Sequence, residues 1–434
     1  MGRRDIMVMS KTIKSMKNNK RKGLSGDKRL KRLFRCIEEA YHDVPYYKQH
    51  FDKHGFDPRD IRSFSDLTAV PETRREDLIH YDLAARTSRK QAGKSLRTFN
   101  TTGSTGIPLK ILRSRNEEFF YHYRRFRIMA QYGLRIRDKM IKVGPRMHKR
   151  LPFSWVLLQK AGIFRQKQLK PDENSESMLD AFLRESPDIL TGYSSAVCRI
   201  ARLVNKRGVS FPQMKFVVTG SETLTPVMRR TISSEFALPV YDNYESMESG
   251  PLAWECPETG LYHICEDNVI LEVVSGNLPA EDGETGDVLV TTLRNRTMPF
   301  IRYRLNDRVT KGPDSCPCGF PVSTLRRIDG RKPDFLSLPH GREIYASTLD
   351  ITIQDHSSWM TQYQVVQEKE DRVVLRIIPS RKPEPGECKA LIRCMERFLG
   401  SEVQFDLQLM DDLPPGPGGK FRILRSLLRS EYSE

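Results

Sequence analysis

Between Lys139 and Tyr244 short apolar runs alternate with amphipathic stretches, and this rhythm constrains the fold more than any other feature of the chain. Met140–Val143, Ile189–Tyr193, Lys215–Thr219 and Val240–Tyr244 read as strands, while Ser177–Glu185, Ser194–Lys206 and Pro226–Phe236 have helical periodicity. Parallel strands need a crossover connection, usually a helix, whereas a tight hairpin can only reverse direction, so this rhythm is that of βαβ units. The expected class is therefore α/β with a largely parallel sheet. Such sheets bind ligands beyond the carboxyl ends of their strands. Two of these ends carry suitable polar residues: Gly220-Ser221-Glu222, and Asp242-Asn243-Tyr244 leading to Glu248.

The flanks read differently. Leu30 to Phe51 is helical and broken at Pro45, and Ser114 with Glu117 forms a capping-box pattern before a helix ending near Gly133. Phe119, Tyr123 and Phe126 on that helix form an apolar stripe expected in the core. After Pro257, His263–Val274 and Gly286–Leu293 alternate as paired strands, followed by a third short run from Arg302 to Asp307. From about Lys332 the chain reads as a small α+β unit that includes the glycine-rich segment Pro414–Lys420.

Thr101, Thr102, Gly103, Ser104, Thr105 and Gly106, closed by Pro108, have the composition of a phosphate loop: hydroxyls beside glycines that let backbone N–H groups turn toward an anion. The Lys-Ser/Thr pair of a Walker A sequence is missing.

With 434 residues the chain has room for two or three domains. No apolar run approaches the roughly 18 residues of a membrane span, and the N-terminus carries lysines where a signal peptide needs its apolar segment, so the expected compartment is the cytoplasm. The net charge of +17 suggests nucleic acid, but residues 1–32 hold twelve Lys/Arg against two Asp/Glu. The excess is mostly a tail, 1–29, expected to be disordered and to attract anionic surfaces without specificity. No specific nucleic-acid partner is expected.

Eight cysteines are an ordinary number, but four sites cluster along the sequence: Cys256, Cys265, Cys316 and Cys318. Cys256-x6-His263 and Cys316-Pro-Cys318 together supply a Cys₃His set of the kind that holds structural zinc, if the fold joins the two segments. The alternative is reduced cysteines beside a hydrogen-bonded histidine.

In their order along the chain, five motifs resemble the adenylate-forming enzymes, specifically the branch of phenylacetate-CoA ligase and its relatives in capsular polysaccharide synthesis. They are TTGSTGIPL at 101–109, YDNYESME at 241–248, IRYRLND at 301–307, DGRKPD at 329–334 and LPPGPGGKFR at 413–422. The resemblance covers roughly residues 30–430. It implies a large N-terminal adenylate-forming domain of mixed sheets and helices (30–331) and a small mobile α+β C-terminal lid (332–434). A carboxylate would attack the α-phosphate of ATP to give an acyl-adenylate and pyrophosphate. In that scheme Glu248 holds Mg²⁺, Lys420 bridges the carboxylate and the α-phosphate, Asp307 accepts the ribose hydroxyls with Arg331 beside it, Tyr244 stacks on adenine, and Gly220–Glu222 form the adjacent wall.

The chain departs from the family pattern at Glu245, where the family has glycine, at Met247, where it has Ser/Thr, and at Pro333, where it has the pivot Asp. The expected function is an ATP- and Mg²⁺-dependent ligase that passes an acyl group to coenzyme A or another thiol or amine, including an acidic carrier protein. A homodimer is left open. The competing expectations are an amide- or ester-forming ligase and a nucleotide-binding protein without turnover.

Overall fold

The computed structural model describes residues 25–101, 108–144, 153–170, 175–276, 278–331, 335–416 and 419–428. They form two compact units. One joins Tyr132–Asp242 to Asp329–Glu434; the other runs up to Gln131 and resumes over Asn243–Ile328. The chain last passes between the units at 328/329.

The first unit holds the parallel sheet. Ile189–Gly192 lies between Phe216–Gly220 and Lys139–Val143, and Arg165–Leu169 flanks Lys139–Val143 on the far side, all parallel. Gly192 is dictated by packing, since a Cβ there would stand 2.3 Å from the Val143 carbonyl oxygen on the neighbouring strand. Arg165–Leu169 is absent from the sequence-derived list because its residues, RQKQL, bury only Leu169. It is the terminal strand of its sheet and needs no apolar alternation.

Two of the expected helices, Ser194–Lys206 and Pro226–Phe236, keep their predicted bounds. The second starts on Thr225, whose hydroxyl accepts the Met228 N–H at 3.0 Å, with Pro226 in the first turn. In the C-terminal α+β segment, Gln404–Leu409, Arg372–Pro379, Met360–Lys369 and Leu424–Ser426 form a four-stranded sheet in that order, backed by the helices Ala346–Gln354 and Pro385–Leu399. Its apolar face joins the parallel layer in one continuous core, where Val197, Cys198, Ile232, Trp359, Tyr363 and Leu375 are all essentially inaccessible.

The second unit is largely antiparallel beyond its N-terminal helices Gly26–Asp43 and Pro45–Lys53, which meet at Val44 just before Pro45, as expected. Val269–Ser275 pairs with Thr285–Thr292, which pairs in turn with Tyr303–Lys311. The expected single run His263–Val274 is two strands. Tyr262–Ile264 pairs instead with Gly250–Glu255 and Thr324–Arg331, and a turn separates it from Val269.

The helix Arg115–Gln131 starts on the predicted box, with Ser114 N–H donating to Glu117 at 2.7 Å and Glu117 N–H donating to Ser114 Oγ at 3.3 Å. Its buried face differs from the expected stripe. Phe126 is buried but Phe119 and Tyr123 are only half-buried; the inward positions are Glu117, Tyr121, Arg124 and Ile128. Polar side chains occupy that face because each finds an internal partner, which hydrophobic periodicity does not register. Among the described residues, no helix is long and apolar enough to cross a membrane.

Candidate active site and thiol cluster

At the carboxyl end of Phe216–Gly220 in the first unit, Ser221 adopts φ +69°, a left-handed conformation that costs energy for a residue with a Cβ. Glu222 follows. Its Oε2 accepts the Ser195 N–H in the first turn of the helix Ser194–Lys206 at 3.0 Å, and its Oε1 accepts the Phe421 N–H at 2.6 Å. A carboxylate at a helix N-terminus completes donors the helix itself leaves open. Burial pushes the Glu222 carboxyl above its ordinary range, against the pull of these N–H donors and of Lys420.

The second bond fixes the glycine-rich segment. Lys420 immediately precedes Phe421, and its ammonium lies 5.7 Å from the Tyr193 ring centroid. The loop closes on itself through Gly416 N–H to the Lys420 carbonyl at 2.8 Å. Glu222 and Lys420, 198 positions apart in sequence, are thus neighbours. Arg331 ends the strand Thr324–Arg331 and is exposed, and Gly330 beside it has φ +108° with its open face toward Thr223.

In the second unit, the Tyr244 hydroxyl donates to Asp307 Oδ2 at 2.6 Å. Arg304 is held by Glu72 and Asp287 at 2.6–3.0 Å. The strand Val240–Ser246 shifts register between Tyr244 and Glu245, and such an irregularity re-aims the side chains that follow. Tyr244 packs in the antiparallel core. Glu245, at the family's glycine position, forms a two-pronged ion pair with Arg125 at 2.7–3.0 Å. Asn243, buried, pairs in register with Trp254.

Glu248 is half-buried; its Oε1 accepts from the Tyr303 hydroxyl at 3.3 Å and its carbonyl from Asn295 Nδ2 at 2.8 Å. Burial first, and Glu248 second, raise the Tyr303 phenol well above its ordinary range. Thr101 is buried, accepts from Arg75 Nη1 at 2.9 Å and from the Leu109 N–H at 3.1 Å, and stands at the neck of the hairpin Arg97–Asn100/Lys110–Arg113. Thr102, Gly103, Ser104, Thr105, Gly106 and Pro333 lie outside the described residues.

The cysteine prediction is met at the level of convergence. Cys256, His263, Cys316 and Cys318 bring one ligand atom each to within 4.8 Å of one another. A tetrahedral metal with bonds of about 2.3 Å needs donors roughly 4 Å apart, so the set fits with little movement. Cys318 Sγ lies 3.4 Å from His263 Nε2, and the Thr259 hydroxyl lies 3.2 Å from Cys316 Sγ. Burial raises the Cys256 thiol, but hydrogen bonds from the Thr259 hydroxyl and the Glu258 and Thr259 N–H groups outweigh it and bring the thiol below its ordinary range. Burial pushes Cys318 up to about 12. Cys265 is buried and is not one of the four.

Sequence reasoning missed Arg75, Glu117, Tyr121 and Asn295. Glu117 accepts the Arg296 and Thr297 N–H groups at 2.6 and 2.8 Å; Tyr121 bonds Asn295, which in turn holds the Glu248 carbonyl. Tyr121 also explains Gly250: at φ +69°, a Cβ there would stand 2.7 Å from the Tyr121 ring. The capping box flagged Glu117 only as a helix start. The other three carry no local signal.

The architecture is one shared with solved CoA ligases. The chain superposes on 2-hydroxyisobutyryl-CoA ligase, solved in its postadenylation state with R3-HIB-AMP, at a TM-score of 0.77 and 19% identity, covering 94% of this chain and 90% of that one. More particularly, residues 336–426 match the CapK C-terminal domain family. The chain is 24% identical over 378 residues to the phenylacetate-coenzyme A ligase of Thermus thermophilus, covering 84% of this chain and 82% of the relative. It is 25% identical over 257 residues to protein CapK of Staphylococcus aureus, covering 58% and 55% respectively. The resemblance read from the five motifs is borne out.

Proposed function

We propose that this protein is an acid-activating, AMP-forming ligase: it joins a carboxylic acid to AMP at the expense of ATP and then passes the acyl group to coenzyme A. The observation that carries the reading is the docking of the Lys420 loop, through Phe421 N–H and Glu222, onto the carboxyl end of the parallel sheet, where α/β folds bind ligands. Attack of one anion on another is limited by charge, and a lysine delivered at that edge supplies the missing cation.

The other residues fit the same chemistry. Asp307, oriented by Tyr244, would accept the ribose hydroxyls, with Arg331 as a further donor. Asn243 and Tyr244 with Gly220–Glu222 would flank the base, and Thr101–Gly106 the phosphates. Glu248 would hold Mg²⁺, which when bound neutralises phosphate charge. We assign Cys256, His263, Cys316 and Cys318 to a structural zinc ion, since three thiols and an imidazole are a donor set suited to Zn²⁺. The reaction would run in the cytoplasm, where ATP and coenzyme A are supplied.

Product analysis tests the reading. Incubation with Mg-ATP and a panel of aryl, aliphatic and amino acids should yield AMP and an acyl-adenylate without coenzyme A, and a thioester with it. ADP as the nucleotide product, or an amide or ester formed independently of coenzyme A, would contradict it.

A further inference from the structure

Arg113 has no anionic partner among the described residues. It ends the strand Lys110–Arg113, is only 4% exposed, and is held between two aromatic rings, its guanidinium carbon 4.7 Å from the Phe99 centroid and 4.8 Å from that of Tyr121. Its Nε and Nη2 are buried without a hydrogen-bond partner. Aromatic faces attract the charge of a guanidinium but leave its in-plane N–H groups unsatisfied.

The surrounding carboxylates are engaged elsewhere. Glu117 receives the Ser114 N–H and hydroxyl, the Arg296 and Thr297 N–H groups and the Thr297 hydroxyl. Glu245 is taken by Arg125, and Glu118 is taken by Arg97, the residue directly opposite Arg113 in the hairpin. Glu248 is close enough to act on the Arg113 charge but makes its bond to Tyr303. A buried, unpaired cation is costly unless something anionic completes it.

From this geometry we infer that Arg113 is an oxyanion receptor of the active site, its fork taking two oxygens of one bound anionic group. This deepens the ligase reading, on which it rests, because Arg113 lies over the ring of Tyr121, whose hydroxyl bonds Asn295, and Asn295 holds the Glu248 carbonyl. Carboxylate and phosphate share the planar two-oxygen edge that a guanidinium recognises. The anion is therefore either a phosphate of the nucleotide or a second acidic group on the acid substrate.

The test measures binding of sodium tripolyphosphate, and of succinate against propionate, to the full chain by calorimetry, comparing wild type with Arg113→Met and Arg113→Lys. Methionine keeps an apolar stem between the two rings; lysine keeps the charge without the fork. The site predicts at least a tenfold weaker dissociation constant for one anion in Arg113→Met, with a smaller loss in Arg113→Lys. Loss for tripolyphosphate names the nucleotide as the source, and loss for succinate alone names a second carboxylate. Binding of every probe unchanged within about twofold, or no wild-type binding of any, overturns the proposal. Acid-dependent exchange of pyrophosphate into ATP by wild type, measured in parallel, reports on the ligase reading separately: exchange without Arg113-dependent anion binding sinks the site alone, and the converse sinks the ligase alone.

Discussion

The thiol cluster and the lysine loop solve opposite problems. Cys256, His263, Cys316 and Cys318 sit on strands and tight turns of one antiparallel layer, converge to within 4.8 Å, and are mostly buried. Lys420 sits on a segment of prolines and glycines that meets the sheet edge where Glu222 accepts the Phe421 N–H and the ammonium lies over the Tyr193 ring. A site that must never open is built on paired strands and tight turns; a group that must arrive and leave is carried on a loop. The difference suggests that the cluster contributes to stability and the loop to turnover, and mutations should separate the two.

The largest effect on activity is expected at Lys420. Lys420→Ala should lower acid-dependent exchange of pyrophosphate into ATP by about 10²–10³-fold, with the melting temperature and metal content of wild type. Cys318→Ser should do the reverse: zinc measured by atomic emission falls and the melting temperature drops by several degrees, as removal of a structural ion implies, while the exchange rate per folded molecule at low temperature is kept. An activity loss without a stability loss in Cys318→Ser would break the comparison.

Glu222→Ala should come next, with adenylation about 10- to 100-fold slower, the range for a charge-assisted hydrogen bond, and faster proteolysis within Pro414–Lys420. Its pH dependence has a definite sign. Because the folded-state pKa is raised, folding favours the protonated form, so this group's contribution to stability falls as pH rises from the ordinary carboxyl value through the raised one. Loop docking needs the carboxylate and runs the other way. The acidic limb of the adenylation rate should therefore start at higher pH than for an ordinary glutamate and be absent in Glu222→Gln.

The smallest effect is expected for Tyr244→Phe. Losing the 2.6 Å bond to Asp307 should raise the KM for ATP by about 3- to 10-fold with kcat nearly unchanged, as for one hydrogen bond to a binding carboxylate.

Much of this was legible in the sequence, for physical reasons. The helices Ser194–Lys206 and Pro226–Phe236 follow from amphipathic spacing, and the Cys₃His set from residue type and spacing. Arg165–Leu169 was hidden because a polar terminal strand has no apolar alternation. The inward face of Arg115–Gln131 was misplaced because Glu117 and Arg124 are buried by partners that lie far along the chain: Arg296 and Thr297 for the first, Asp267 for the second. The meeting of Glu222 with Phe421 was equally hidden, because no local pattern records a hydrogen bond across 199 residues.

The central claim is that the docked Lys420 serves adenylation, and exchange of labelled pyrophosphate into ATP across a panel of acids, wild type against Lys420→Ala, tests it most directly. The account predicts exchange that depends on a particular acid and collapses in the variant. Exchange that survives Lys420→Ala undiminished, or wild-type silence with every acid despite measurable Mg-ATP binding, would contradict it.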